Sequence, residues 1–319
     1  MEKFKINIKE LYALYFYTNS MKVKTEFLEE KNKITKTIPA TIEYLGCTDH
    51  IMEDKNFLMY LNQKCQDVSI NKQTNTSYLS LDEEQLFIPD LIYLMIGMIA
   101  NGLQEQGLYF MQGAVAKYNN EKSILILGDP NVGKTTIVYK LISLCGYSLI
   151  SNDNVLVGVE NGYLKTYSGT KEMQMRLGGL KLYCPEIVKK MNLSENEKEN
   201  INEWNTKIYI NEFLDSINAK YSDESVITDI FCVNTMKSDS YYIREIENID
   251  KTLLIYEHLT KQIRSNRYAL TSFNYPLPSF ENEKYMQERY NMSCQIADSI
   301  KMYDAKGDIN SLVKKMKRI

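Results

Sequence analysis

SILILGDPNVGKTTIVYKLISL, residues Ser123–Leu144, is the stretch whose reading decides the fold. Its middle, Gly128 to Thr135, reads G-D-P-N-V-G-K-T and fits the phosphate-loop pattern G-x-x-x-x-G-K-[ST]. Ser123–Leu127 is a short apolar run of strand type. Apolar residues follow at Ile137, Val138, Leu141, Ile142 and Leu144, which is helical spacing. Strand, Gly-bearing turn and helix therefore succeed one another, the context in which this motif has meaning.

The residue types answer the chemistry of a triphosphate, whose several negative charges must be held with little movement. Backbone N–H groups of the turn can face phosphate oxygens, and the N-terminus of the next helix adds a favourable dipole. Gly128 and Gly133 permit backbone angles and a close approach that a Cβ would block. Lys134 can reach the β- and γ-phosphates, and Thr135 can offer its hydroxyl to Mg²⁺. The expected cradle is Gly128, Asp129, Pro130, Asn131, Val132, Gly133, Lys134, Thr135 and Thr136, with ATP or GTP and Mg²⁺ as cofactors.

Working outward, the 319 residues with 44% hydrophobic composition suffice for one large domain or two moderate ones. The net charge of −3 gives no basic field for nucleic acid. Lys314, Lys315, Lys317 and Arg318 form a small basic cluster that a solvated helix end explains at least as well as a membrane or RNA contact. Six cysteines stand too far apart for a C-x-x-C pair, and only His50 and His258 could join them, which argues against a zinc site. The longest apolar run, Leu91–Ala100, is too short to span a membrane and reads as a buried helix, so a soluble, cytoplasmic protein without membrane or nucleic-acid partners is expected.

Residues 1 to about 85 read as β-rich. Strands are expected at Phe4–Ile8, Tyr15–Tyr17, Thr41–Leu45, Phe57–Leu61 and Tyr78–Leu81, and Met21–Phe27 with Ile34–Ile38 as a strand pair about a charged turn at Glu29–Lys33. Tyr12, Tyr15 and Tyr17 suit packing. Pro89 opens a helix to about Gln104, capped from the side of Asp82–Ile88, and Phe110–Lys117 is a strand carrying Gln112 and Gly113. Asn119-Asn120-Glu121 is a turn so short that the strands on either side must be antiparallel.

Beyond the loop's helix, Gly146 ends the pattern, and Tyr147–Ile150 leads as a strand into Ser151-Asn152-Asp153-Asn154. Val155–Val159 and Tyr163–Tyr167 flank Asn161-Gly162, a strong hairpin turn. A carboxylate at a strand end near a phosphate loop commonly gives Mg²⁺ its second hold, and Asp153 is the candidate; Asn152, Asp153 and Asn154 can equally be turn formers. Glu186–Asn200 is charged, with a polar break at Leu193–Glu197. Trp204-Asn205-Thr206-Lys207 precedes a strand at Ile208–Ile210. Val226–Val233 and Tyr241–Ile246 are further strands, Leu253–Ile263 is a helix, and Lys284 onward reads as one or two amphipathic helices. Two parts are expected, 1–85 and 86–319, the second binding nucleotide and ending in a helical region, in an α/β (α+β) fold with a mixed, largely antiparallel sheet.

MQGAVAKYNNEKSILILGDPNVGKTTIVYKLISLCGYSLISNDNVLVG, Met111 to Gly158, resembles the HPr kinase/phosphorylase and PEP-carboxykinase-like group of phosphate-loop kinases. The short antiparallel lead-in and the S-N-D-N-V segment carry most of the likeness, which covers roughly residues 85–180. It implies an ATP- or GTP-dependent phosphotransferase acting on a protein serine, a peptide or a small hydroxyl compound. Lys134, Thr135, Asp153 and Mg²⁺ would neutralise and position the phosphoryl group. Arg176 within MQMRLGGLKL, and Lys207, would be basic residues neutralising the γ-phosphate or holding the acceptor; each also suits an ordinary surface position. Part of the group assembles into hexamers, and a homo-oligomer stays open here.

Two positions depart from the group. Gln112-Gly113 stands where His-Gly is usual, and Asn152-Asp153 where Asp-Asp is usual, and the group's C-terminal signature is not present. The first acid of that pair is the base proposed for the substrate hydroxyl; Asn cannot accept a proton at neutral pH but can hold a hydroxyl by hydrogen bonding. The intact Lys134, Thr135 and Asp153 favour a kinase. Asn152 and Gln112 favour the alternative, a non-catalytic or weakly hydrolytic nucleotide-binding protein. His258, in a helical pattern, suits packing.

Overall fold

Apolar and polar residues alternate along Glu2–Ile8 and Tyr12–Thr18, and these segments form the first two strands, β1 and β2. They open a computed structural model that describes residues 1–118, 122–191, 202–236, 240–265 and 280–317. There follow α1 (Met21–Glu30), α2 (Asn32–Thr37), β3 (Thr41–Cys47), β4 (Phe57–Asn62), β5 (Asp67–Asn71), β6 (Thr76–Leu81), α3 (Ile88–Leu103) and β7 (Tyr109–Gln112). The middle of the chain forms β8 (Ala114–Tyr118), β9 (Lys122–Leu127), α4 (Lys134–Cys145), β10 (Ser148–Ser151), β11 (Asn154–Glu160), β12 (Tyr163–Gly169), β13 (Gln174–Arg176), α5 (Leu177–Tyr183) and α6 (Pro185–Lys190). The remainder is β14 (Lys207–Tyr209), α7 (Asn211–Ser216), β15 (Ser225–Val226), β16 (Asp229–Thr235), β17 (Tyr241–Glu245), α8 (Asn248–Ser265), α9 (Glu283–Ser299), β18 (Lys301–Gly307) and α10 (Ile309–Met316). Two units form: Met1–Gln112 with Leu156–Val159 and Thr252–Gln295, and Gly113–Val155 with Glu160–Lys251 and Ile296–Ile319.

The first unit holds a six-stranded sheet of order β3-β1-β2-β4-β6-β5. β1 pairs antiparallel with β2 and β3, while β4 runs parallel to both β2 and β6. Phe4, Phe16 and Phe27 meet beside it, with Phe27 at ring-centroid distances of 5.1 Å from Phe4 and 5.0 Å from Phe16. Phe27 belongs to α1, so the expected strand pair at Met21–Phe27 and Ile34–Ile38 is corrected to two helices, α1 and α2. Seven residues with Met21, Val23, Thr25 and Phe27 satisfy both alternation and an i,i+4 spacing. The cap decides: Ser20 Oγ accepts a hydrogen bond from Val23 N at 3.1 Å, and Val23 and Phe27 are then buried on one helix face. α3 begins as expected with Pro89 in its first turn, but its N-cap residue, Phe87, offers no side-chain bond.

The second unit holds a six-stranded sheet of order β10-β8-β9-β16-β18-β17. β8 pairs antiparallel with β9, Tyr118 opposite Lys122, as the short connection requires; Asn119–Glu121 themselves lie outside the described residues. β10 pairs antiparallel with β8 and β17 with β18, whereas β16 lies parallel to both β9 and β18. The architecture is α+β, with mixed sheets and packed helices. The expected strand over Phe110–Lys117 is interrupted at Gly113, which separates β7 from β8. The expectation of helices alone from Lys284 onward is corrected as well: α9 gives way to β18, a strand beside β16, and α10 follows. Gly307 at φ 126 ends β18, and Asp308 Oδ2 caps α10 through Ser311 N at 2.9 Å. Ile124, Ile126, Ile137, Leu141, Phe231, Tyr303 and Leu312 bury one core from β9, α4, β16, β18 and α10. The polar break at Leu193–Glu197 and Arg318 lie outside the described residues. No helix among the described residues is long and apolar enough to cross a membrane.

Candidate functional site

β9 ends at Leu127, and the chain turns through Gly128 at φ 147, Asn131 at φ 70 and Gly133 at φ 92 before α4 begins at Lys134. The turn is tied at its end: Ile137 N donates to Gly133 O at 3.0 Å, and Thr235 N to Val132 O at 3.3 Å. Both glycines are required by space as well as by angle. A Cβ on Gly128 would lie 2.7 Å from Val233 O, and one on Gly133 would lie 2.6 Å from Thr235 Oγ1 and 3.3 Å from Ile309 Cδ1. The loop is therefore moulded by the end of β16 and the start of α10.

Lys134 lies almost wholly buried along this turn. Its Nζ donates to Gly128 O at 2.9 Å and Asp129 O at 2.8 Å, so the ammonium arches back over the loop from the first turn of α4. Thr135 is half-buried and Thr136 buried, whereas Asp129, Pro130 and Asn131 are exposed at the tip. The N-terminus of a twelve-residue helix lies at the loop, and its macrodipole favours an anion here.

Asp153 sits in the turn between β10 and β11. Its carbonyl accepts from Gly113 N at 2.7 Å. Ala114 pairs with Ile126, so Gly113 lies beside Leu127, the residue before the loop. The Asn152–Asn154 turn thus reaches the same edge of the sheet as the loop. Thr170 fixes it: its carbonyl accepts from Asn152 N at 2.8 Å, and its Oγ1 from Asp153 N at 3.2 Å and Asn154 N at 3.1 Å. Asn152 is buried, its Nδ2 donating to Glu172 O at 3.0 Å, while its Oδ1 is buried without a hydrogen-bond partner. A buried acceptor left without a donor costs about 1–3 kcal/mol. The donor chemistry that would satisfy it is a hydroxyl or a water bound to a cation.

Arg176 ends β13, and its Nε donates to Asn131 Oδ1 at 2.9 Å, so this guanidinium stands on the loop. Lys207 is its register partner across the β13–β14 ribbon and is exposed. The structure thus gathers Lys134, Thr135, Thr136 and Arg176 around the loop and sets Asn152 and Asp153 on the neighbouring strand end. His258 lies in the first unit, 6% exposed, with Nδ1 3.3 Å from Gln112 O, and is a packed residue. Thr235 and Thr170 were not legible as site residues. Thr235 comes from a strand about a hundred positions downstream, and no local pattern announces that β16 will lie beside β9.

The residues present fit a nucleoside triphosphate: two glycines leave the cradle clear, a lysine lies along it, and an arginine faces its tip. No group of three or more His, Cys, Asp or Glu among the described residues could hold a metal ion by itself, so a cation here would need Thr135, Asp153 and the phosphates together.

No protein-family model matches the sequence, and no curated protein does. Among solved structures, the HPr(Ser) kinase/phosphatase from Coxiella burnetii is similar over 66% of this chain and 91% of its own, at 11% identity and a TM-score of 0.30, a distant structural relationship.

Proposed function

We propose that the chain is a phosphotransferase that binds ATP or GTP with Mg²⁺ at Gly128–Thr136 and moves the γ-phosphoryl group to a hydroxyl of a peptide, a protein serine or a small metabolite. The observation that carries this reading is the loop itself, where two positive-φ glycines without room for a Cβ underlie a buried lysine that spans Gly128 O and Asp129 O. Lys134 would shift its ammonium from those carbonyls to the more strongly accepting β- and γ-oxygens. Thr135 and Asp153 would share the cation, and Arg176 would neutralise charge as the acceptor oxygen attacks and the bond to the leaving nucleoside diphosphate breaks. A loose transition state asks more for positioning and charge than for a strong base. Asn152 Oδ1, buried without a partner and fixed in direction by the bond from Nδ2 to Glu172 O, would accept from a substrate hydroxyl that reached it.

That same amide supports a second reading, a nucleotide-binding protein without transfer or with slow hydrolysis, because an amide oxygen takes up no proton at neutral pH. Incubation with γ-labelled ATP and Mg²⁺ against serine, small peptides and serine-bearing proteins separates the two. Label on an acceptor supports the kinase; label released only as phosphate, or retained on ATP, supports the second reading.

A further inference from the structure

Arg176 does more than stand on the loop. While its Nε holds Asn131 Oδ1, its Nη1 donates to the main-chain oxygen of Trp204. Trp204 is the chain's single tryptophan and is 58% exposed. Its ring lies against the start of α5, where a Cβ on Gly178 would come within 2.8 Å of Cδ2 and Cε2. The turn that carries it hangs on the first two amides of that helix, with Leu177 N donating to Thr206 O at 3.0 Å and Gly178 N to Glu203 O at 2.9 Å. Loop, arginine and tryptophan turn are thereby linked through one guanidinium.

Both oxygens that hold Arg176 are neutral. Hydrogen bonds from a guanidinium to an oxyanion are roughly twice as strong as those between neutral groups, and they can be bidentate. We infer that Trp204 is a positioning residue: its carbonyl parks Arg176 against the phosphate loop, and an entering triphosphate draws the guanidinium off that carbonyl onto a phosphate oxygen, so that occupancy of the loop loosens the Trp204 turn. This rests on the nucleotide reading of the loop. It gives the otherwise unexplained placing of an exposed tryptophan on a glycine a role, because the ring can leave Gly178 without unpacking a core.

The test titrates Mg²⁺–ATP, and Mg²⁺–tripolyphosphate as a probe carrying phosphate alone, into the full chain while indole emission and thermal midpoint are read on the same samples. Both ligands should change the emission saturably, at the concentrations that raise the midpoint. In Arg176→Gln the midpoint should still rise, less than in the parent, while the emission stays flat. Gly178→Ala, which moves the ring without touching Arg176, should start from shifted emission, lose most of the response and keep the midpoint rise. A midpoint rise with unchanged emission in the parent chain overturns the relay and leaves nucleotide binding standing, as does a full emission response in Arg176→Gln. If no ligand moves the midpoint of the parent chain, the nucleotide reading falls and the relay with it.

Discussion

Lys134 donates to two carbonyls of its own loop, a geometry that lays the ammonium along the turn. Losing a charged hydrogen-bond partner costs about 1.5–3 kcal/mol, so Lys134→Met should weaken nucleotide binding by at least tenfold. Gly133→Ala is expected to be destabilising by about 1–3 kcal/mol, since φ 92 and the 2.6 Å approach to Thr235 Oγ1 both oppose a Cβ; a thermal melt equal to that of the parent chain would contradict the cradle described above. Asp153→Asn should weaken binding in Mg²⁺ and leave binding in EDTA unchanged; equal losses would make Asp153 a turn residue only. Asn152→Asp places a second carboxylate next to Asp153 in the chain and should raise the rate of phosphoryl transfer, measured with labelled ATP; an unchanged rate would assign proton removal elsewhere.

At the scale of elements, helix α1 depends on its cap. Ser20→Ala removes the acceptor for Val23 N and should cost about 1 kcal/mol in urea unfolding of the first unit; no change would mean that Phe27 alone holds the helix. The same helix explains where the sequence was ambiguous. Over Met21–Phe27 the strand and helix periods coincide, and only the cap and the burial of Phe27 separate them. By contrast, β9, the loop and α4 were legible because each signal is local: an apolar run, two glycines of which the second opens a G-K-T ending, then helical spacing closed by Gly146 at φ 74. β18 was hidden behind the amphipathic pattern of α9, although Gly307-Asp308 marks its end by a positive φ and a cap. Arg176 was legible as a residue type, but its bond to Asn131 depends on a ribbon whose second strand, β14, lies some thirty positions further on.

For the molecule as a whole, the candidate residues Gly128–Thr136, Asn152, Asp153 and Arg176 all belong to the second unit. That unit also contains buried acids of high pKa. Burial pushes the Cys184 thiol up to about 12, and the Tyr139 and Tyr147 hydroxyls up to about 12, from ordinary values of 9.0 and 10.0. Their folded forms keep protons that the unfolded chain releases, so the stability they contribute is complete below about pH 9 and is lost as pH rises toward 12. The thermal midpoint of the second unit should therefore fall steadily between those limits, and a flat midpoint there would contradict the burial of these groups. Exposed Cys47 and Cys65 should meanwhile alkylate in the folded protein, with Cys184 protected until unfolding.

The measurement that bears most directly on the central claim is a calorimetric titration of Mg²⁺–ATP into the parent chain and into Lys134→Ala. Saturable binding to the parent, weakened at least tenfold by the substitution, is the predicted result. Equal binding by the two, or none by the parent, would contradict the assignment of Gly128–Thr136 as a triphosphate site.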